Sequence, residues 1–218
     1  KKTGTMDPIV IPDEPRGIDA SDRKFPPEYD GHFDRLLITR EEIKERAKAL
    51  AELIHKDYKG KRPVLLCVLK GANNFYMHLS EALQELCQGF YTEFLRVSSY
   101  DGLNSTGQLK IGGGLKYKDI EGKDVILVED IVDTGHTLFN LLPILKAEAK
   151  PLSVECCSLL SKRLDKPAQY EAKYVGFTIP NHFVIGYGLD YNELYRDLQD
   201  IWVISQKGID FDPSTMHS

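Results

Sequence analysis

Val125-Ile126-Leu127-Val128-Glu129-Asp130-Ile131-Val132-Asp133-Thr134-Gly135-His136-Thr137 is the stretch on which the reading of this chain turns. An apolar run ends in two adjacent acids, a third acid follows, and a Thr134–Thr137 turn opens onto an apolar helical segment. This is the layout of a buried strand whose C-terminal end faces a helix N-terminus. Unpaired backbone N–H groups and the positive end of the helix dipole gather there, which suits a phosphate. The acids beside it would repel a bare phosphate, so they need another partner, either sugar hydroxyls or a divalent cation. Glu129 and Asp130 accept hydrogen bonds and donate none, which fits the 2′- and 3′-hydroxyls of a ribose. A pair of solvated acids at a strand end is the plainer alternative. A Rossmann dinucleotide site fits poorly, because its glycine-rich turn precedes the acid and here the acids come first.

Outward from this stretch, strands alternate with helices. Thr39-Arg40-Glu41-Glu42 forms a capping box, and Ile43, Ala47, Leu50 and Ile54 follow at helical spacing, so a helix is expected to end near Tyr58 to Gly60. Pro63–Leu69 is short and continuously apolar, as in a strand covered on both faces. A second helix is expected from about Ala72 to Cys87, with Phe75, Leu79, Leu83 and Leu86 on one side. Further strands are expected at Thr92–Ser98, Asp124–Val128, Val154–Leu160, Tyr174–Phe177, Phe183–Tyr187 and Asp200–Ile204. The pattern predicts an α/β fold with a central parallel sheet flanked by helices. Residues 1–36 are rich in Pro, Asp and Gly and read as an extended arm. Glycines at 102, 107, 112, 113 and 114 mark a long polar loop, the kind that serves as a lid or is disordered. Pro143 is expected to kink the helix after the phosphate loop at Leu142–Pro143.

Composition excludes several function classes. At 218 residues, 42% hydrophobic and 28% charged, the chain suits one sizeable globular core. A net charge of −5 argues against nucleic-acid or membrane binding, where basic faces dominate. An anionic substrate then needs local lysines, arginines or a metal ion. Cys67, Cys87, Cys156 and Cys157 lack metal-ligand spacing, and reduced thiols suit a cytoplasmic protein. No stretch approaches the roughly 20 apolar residues of a membrane span. The opening residues 1–6 carry no apolar signal core and are expected to stand outside the fold.

The central stretch resembles the phosphoribosyl-diphosphate motif of the type I phosphoribosyltransferases, and other segments narrow the resemblance to the hypoxanthine-guanine phosphoribosyltransferases. It runs from Ile9-Val10-Ile11-Pro12 to Ile201-Trp202-Val203-Ile204. Between them lie Cys67-Val68-Leu69-Lys70-Gly71, Arg96-Val97-Ser98-Ser99-Tyr100, Ser158-Leu159-Leu160-Ser161-Lys162-Arg163 and Phe183-Val184-Ile185-Gly186-Tyr187. Leu189-Asp190-Tyr191-Asn192-Glu193 and Arg196-Asp197-Leu198 follow. Six such words in the right order are very improbable by chance.

The resemblance implies a type I phosphoribosyltransferase-like core over 37–188 with a flexible loop at 99–118. A small hood would combine an N-terminal arm, 1–36, with 189–218. It implies Glu129 and Asp130 on the ribose and Thr134, Gly135, His136 and Thr137 around the 5′-phosphate. His136 replaces the family's usual lysine, so either a fixed charge is lost or the side chain faces solvent while the main chain binds. It implies a cis Leu69–Lys70 peptide whose backbone, with Lys70 and Gly71, contacts pyrophosphate, the Arg196 side chain on the same pyrophosphate, and Mg²⁺ at Asp190 with Glu129 and Asp130. Ser99 and Tyr100 would open a lid that excludes water. Lys162, donor-only, would select a 6-oxo over a 6-amino purine. Phe183 would stack on the base, Val184 would meet its edge, and the Asp190 carbonyl would accept from a 2-amino group. Asp133 would take the proton from purine N7.

The implied activity converts hypoxanthine or guanine with phosphoribosyl diphosphate to IMP or GMP and pyrophosphate, in a homodimer or homotetramer. A weakly active, regulatory nucleotide-binding paralogue is the alternative. His136, Gly188 (usually alanine in the family) and Pro143 favour it, whereas Asp133, Lys70, Lys162 and Arg196 count against it.

Overall fold

The computed structural model describes residues 6–99 and 109–214. In chain order the elements are β1 (Ile9–Val10), β2 (Phe33–Ile38), α1 (Arg40–Asp57), β3 (Val64–Leu69), α2 (Asn73–Glu85), β4 (Tyr91–Ser99) and β5 (Leu109–Gly112). β6 (Asp124–Val132), α3 (His136–Ile144), β7 (Ser153–Lys162), β8 (Tyr174–Ile179), β9 (Val184–Ile185), β10 (Ile201–Ile204) and α4 (Gln206–Ile209) follow. Seven strands form one sheet in the order β1-β8-β7-β6-β3-β4-β5, parallel except for β5. A second sheet, β2-β10-β9, is antiparallel.

Helix α1 begins where expected. Thr39 accepts from the Glu42 backbone N–H, and Glu42 accepts in return from Thr39 N, completing the capping box. Its face of Ile43, Ala47, Leu50 and Ile54 is fully buried with Phe75 and Leu79 of α2 and with Leu65 and Cys67 of the sheet. A Leu50→Ala change there would cost about 2–5 kcal/mol. The other face of the sheet is covered by Leu138, Leu141, Leu142 and Leu145, which pack with Leu66, Val125 and Leu127. Strands β3 and β6 thus need apolar side chains on both faces, which explains the unbroken apolar runs Val64–Leu69 and Val125–Val128.

Four expectations need correction. Phe33–Ile38, partly inside the supposed arm, is β2, and Ile9–Val10 is an edge strand. Leu109–Gly112, inside the expected loop 99–118, pairs with β4 antiparallel. Phe183–Tyr187 supplies only the two-residue β9, outside the parallel sheet. The irregularity expected at Leu142–Pro143 falls later. α3 runs through Pro143 to Ile144 and then widens into a π-helical turn, Leu145–Ala149. Proline has no N–H to donate to the carbonyl four residues before it, and α3 carries that loss without ending at Pro143. Among the described residues, no helix is long and apolar enough to cross a membrane.

Candidate active site

β3 pairs with β6 only from Val64↔Val125 to Cys67↔Val128, while β7 stays paired with β6 to Val132↔Ser161. Beyond Val128 a crevice therefore opens between β3 and β6, where α/β sheets bind ligands. Glu129 and Asp130 lie in this half-paired end, still within the strand and not past it, as the sequence had implied. The stretch Glu129–Leu138 lines a cleft of about 280 Å³.

Glu129 is buried, and that desolvation, reinforced by the Asp130 charge, holds its carboxyl well above the usual range. Burial likewise pushes Asp130 up to about 6, although the Ile131 N–H and the Arg196 charge pull it down. Asp130 Oδ1 accepts from Ile131 N at 2.7 Å. Its other oxygen crowds Gly71 so closely that a Cβ there would lie 1.6 Å from Oδ2. The Leu69–Lys70 peptide is cis, as expected. Gly71 is thus the residue that lets the β3 turn lie against Asp130 of β6.

Gly135 stands at the N-cap of α3 with φ +74, a conformation that favours glycine. A Cβ there would meet Tyr170 N at 2.6 Å, and Gln169 N donates to Thr134 O at 2.8 Å. The 168–170 segment, to which the sequence had assigned no part, thus backs the phosphate-type loop. His136 is exposed, yet its ring is not free in solvent. Nδ1 lies 3.2 Å from Gln169 Oε1, and Asn140 Nδ2 lies 3.2 Å from Nε2.

Lys162, the last residue of β7, is almost wholly buried, and its Nζ donates to Asp133 Oδ2 at 2.9 Å. The same ammonium lies 5.4 Å from the centre of the Phe183 ring, within cation–π range. Phe183 itself is 65% exposed, so it is no core aromatic. Tyr191 meets it edge-on at 6.3 Å, and Val184 beside it is buried.

Asp190 and Arg196 form an ion pair at 2.7 Å, and Arg196 also donates to Gly188 O at 2.8 Å. Glu193, which the sequence reading left without a role, sits among the cations. Its carboxylate takes Lys70 Nζ at 2.6 Å and Arg196 Nη2 at 3.3 Å. The Lys70 hydrogen bond and the Arg196 charge hold it below the usual carboxylate range. The only sequence signal was its place in Leu189–Glu193. Ser99 ends β4, and Tyr100 lies outside the described residues. Among the described residues, no cluster of three or more His, Cys, Asp or Glu is arranged to hold a metal by itself.

The family model for the phosphoribosyl transferase domain matches residues 34–192. The hypoxanthine-guanine phosphoribosyltransferase of Bos taurus is 38% identical over 206 residues, covering 92% of this chain and 94% of that protein. A hypoxanthine phosphoribosyltransferase structure from Staphylococcus aureus superposes with a TM-score of 0.75 at 36% identity, covering 87% of this chain and 100% of the other. The Schistosoma mansoni hypoxanthine-guanine phosphoribosyltransferase in complex with IMP gives 0.78 at 32% identity, covering 94% and 98%. On its cleft, its sheet order and these matches, the chain belongs to the phosphoribosyltransferase family, among the hypoxanthine-guanine phosphoribosyltransferases.

Proposed function

We propose that this chain transfers the 5-phosphoribosyl group of phosphoribosyl diphosphate to hypoxanthine or guanine, yielding IMP or GMP and pyrophosphate. The observation that carries the reading is the Lys162–Asp133 contact at 2.9 Å, one residue before the phosphate-type loop and beside the exposed Phe183 ring. Donor, acceptor and aromatic face meet where a purine would have to lie.

In this reading Lys162 Nζ donates to the purine 6-oxo group, and Phe183 covers the ring. Val184 backbone groups and the Asp190 carbonyl meet the other edge. N9 attacks C1′ as the C1′–O bond to pyrophosphate breaks, and the bonding pair leaves on the pyrophosphate oxygen. Asp133 takes the N7 proton and, before that, its negative charge favours the oxocarbenium-like carbon. Glu129 and Asp130 accept from the ribose hydroxyls, while the first turn of α3 with Thr134 and Thr137 holds the 5′-phosphate. Lys70, the Gly71 backbone and Arg196 receive pyrophosphate. Ser99 and Tyr100 begin the loop that closes over the site.

The acids suit Mg²⁺. Asp190, Glu129 and Asp130 are hard oxygen donors, and a dication would favour the charged carboxylates that burial, and to a lesser extent neighbouring acids, disfavour on β6. With no complete protein cage among the described residues, substrate oxygens and waters would fill the remaining positions. When bound, the ion neutralises charge on the departing pyrophosphate.

We further take β2, β9 and β10, with the segments 1–36 and 189–218, as a hood over the 37–188 core. A homo-oligomer and a cytoplasmic setting complete the reading, the latter consistent with four unpaired cysteines.

The test is conversion of hypoxanthine, guanine, xanthine and adenine with phosphoribosyl diphosphate and Mg²⁺. Rapid IMP and GMP formation with adenine refused supports the proposal. Tight nucleotide binding without turnover of any base would sink it in favour of a regulatory paralogue.

A further inference from the structure

Lys70 and Arg196 reach the site from segments far apart in the chain, one on the turn after β3 and the other after a series of left-handed residues. Asn192, Glu193 and Tyr195 have φ of +51, +66 and +71. Asp190 Oδ2 accepts from Glu193 N at 2.9 Å and pins that turn, with the Glu193 side chain reaching between Lys70 and Arg196. There its carboxylate bridges Lys70 Nζ at 2.6 Å and Arg196 Nη2 at 3.3 Å. With Asp190 also on Arg196 at 2.7 Å, the cluster holds two cations and two carboxylates and is electrically neutral. Arg196 Nε is buried with no acceptor, so the guanidinium is not saturated.

We infer that Glu193 is an internal competitor for pyrophosphate, occupying with its carboxylate the two cations that the diphosphate must take and thereby setting how tightly that group is held. The inference rests on the reading of the Lys70–Gly71 turn and Arg196 as the pyrophosphate site, and takes the Lys70 ammonium as one of its cations. A diphosphate approaching these cations must first displace Glu193, which is well exposed and free to swing into solvent. Removing its charge while keeping its shape leaves the cluster with one net positive charge. Exposed ion pairs of this kind are weak, so the effect is modest, about two- to five-fold. A competitor that weakens pyrophosphate binding also speeds pyrophosphate release, which favours turnover where product release is slow.

The experiment is calorimetric titration of inorganic pyrophosphate, with and without Mg²⁺, into the full chain and into Glu193→Gln, Lys70→Ala and Arg196→Ala. Thermal melts check that each variant folds. Glu193→Gln should bind pyrophosphate about two- to five-fold more tightly, with the gain shrinking as salt is raised. In steady state its KM for phosphoribosyl diphosphate should fall by a similar factor without any rise in kcat. Glu193→Asp, whose shorter side chain keeps the charge, should stay close to the parent. Unchanged or weaker pyrophosphate binding in Glu193→Gln, with Lys70→Ala and Arg196→Ala both impaired, would overturn the competitor role and leave the pyrophosphate site standing. If neither Lys70→Ala nor Arg196→Ala weakens binding, the site reading and the competitor role fall together.

Discussion

Lys162 Nζ and Asp133 Oδ2 are 2.9 Å apart, although 29 residues separate them in the chain. The lysine is almost wholly buried and the aspartate about half exposed, so the pair straddles the boundary between the core and the cleft. A purine that uses both groups must part them, replacing one charge-assisted bond with two bonds to the base. Asp133→Asn should lower kcat by about 10²- to 10⁴-fold, the usual span for a proton-transfer group, with little effect on the KM for phosphoribosyl diphosphate. Steady-state kinetics with hypoxanthine checks this, and an Asn variant that keeps full turnover would remove Asp133 from the chemistry.

Lys162→Gln replaces a donor-only side chain with one that can also accept. Discrimination between hypoxanthine and adenine should fall by roughly 10-fold or more, since an unpaired buried polar group costs on the order of 1–3 kcal/mol. The ratio of kcat/KM for the two bases is the readout. An unaltered ratio would mean that position 6 is read elsewhere.

Gly188 and Gly71 are mutually constrained. A Cβ on Gly188 would lie 2.2 Å from Gly71 O, and Gly188 has φ +101. Gly188→Ala should destabilise this chain by on the order of 1–3 kcal/mol unless the Lys70–Gly71 turn moves. The expected fall in Tm is about 2–4 °C for each kcal/mol at this chain size. An alanine variant with unchanged Tm and unchanged pyrophosphate affinity would contradict the constraint.

The acids of β6 make stability depend on pH in a direction that can be worked out. An unfolded Asp titrates near 4, whereas Asp130 in the fold titrates at about 6. Between those values the folded chain binds more protons than the unfolded one. Stability from this group is therefore highest at low pH and declines as pH rises from about 4 to about 6, then levels off. Glu129, also raised, adds to the decline. Asp130→Asn should flatten this dependence and stabilise the chain at pH 7 by on the order of 1–3 kcal/mol, while abolishing ribose-dependent activity. Denaturant midpoints at several pH values, parent against variant, would expose an error in sign.

His136 offers a smaller test. Its ring braces Gln169 and Asn140, while main-chain N–H groups are the expected phosphate donors. His136→Ala should therefore raise the KM for phosphoribosyl diphosphate only a few-fold, roughly the loss of one or two exposed hydrogen bonds, and leave kcat nearly unchanged. A loss of 100-fold would make the side chain itself a ligand.

The sequence by itself determined what short-range chemistry can encode. Thr39 and Glu42 announce a helix start because a capping box closes within one turn. The unbroken apolar run of β6 announces a strand covered on both faces, and Gly135 before His136 announces a phosphate-type helix end. Motif order added the family. What only the tertiary structure decided are the contacts between segments far apart in the chain. Ile9–Val10 and Leu109–Gly112 are too short to show a period, and become strands only because β8 and β4 offer them free edges. Asp130 against Gly71, Gly188 against the Gly71 carbonyl, and Glu193 against Lys70 exist because the sheet order carries β3 beside β6 and the 186–196 loop to the turn after β3. Propensity and periodicity act over a few residues. The charges and close approaches of the site are set by which strands lie side by side.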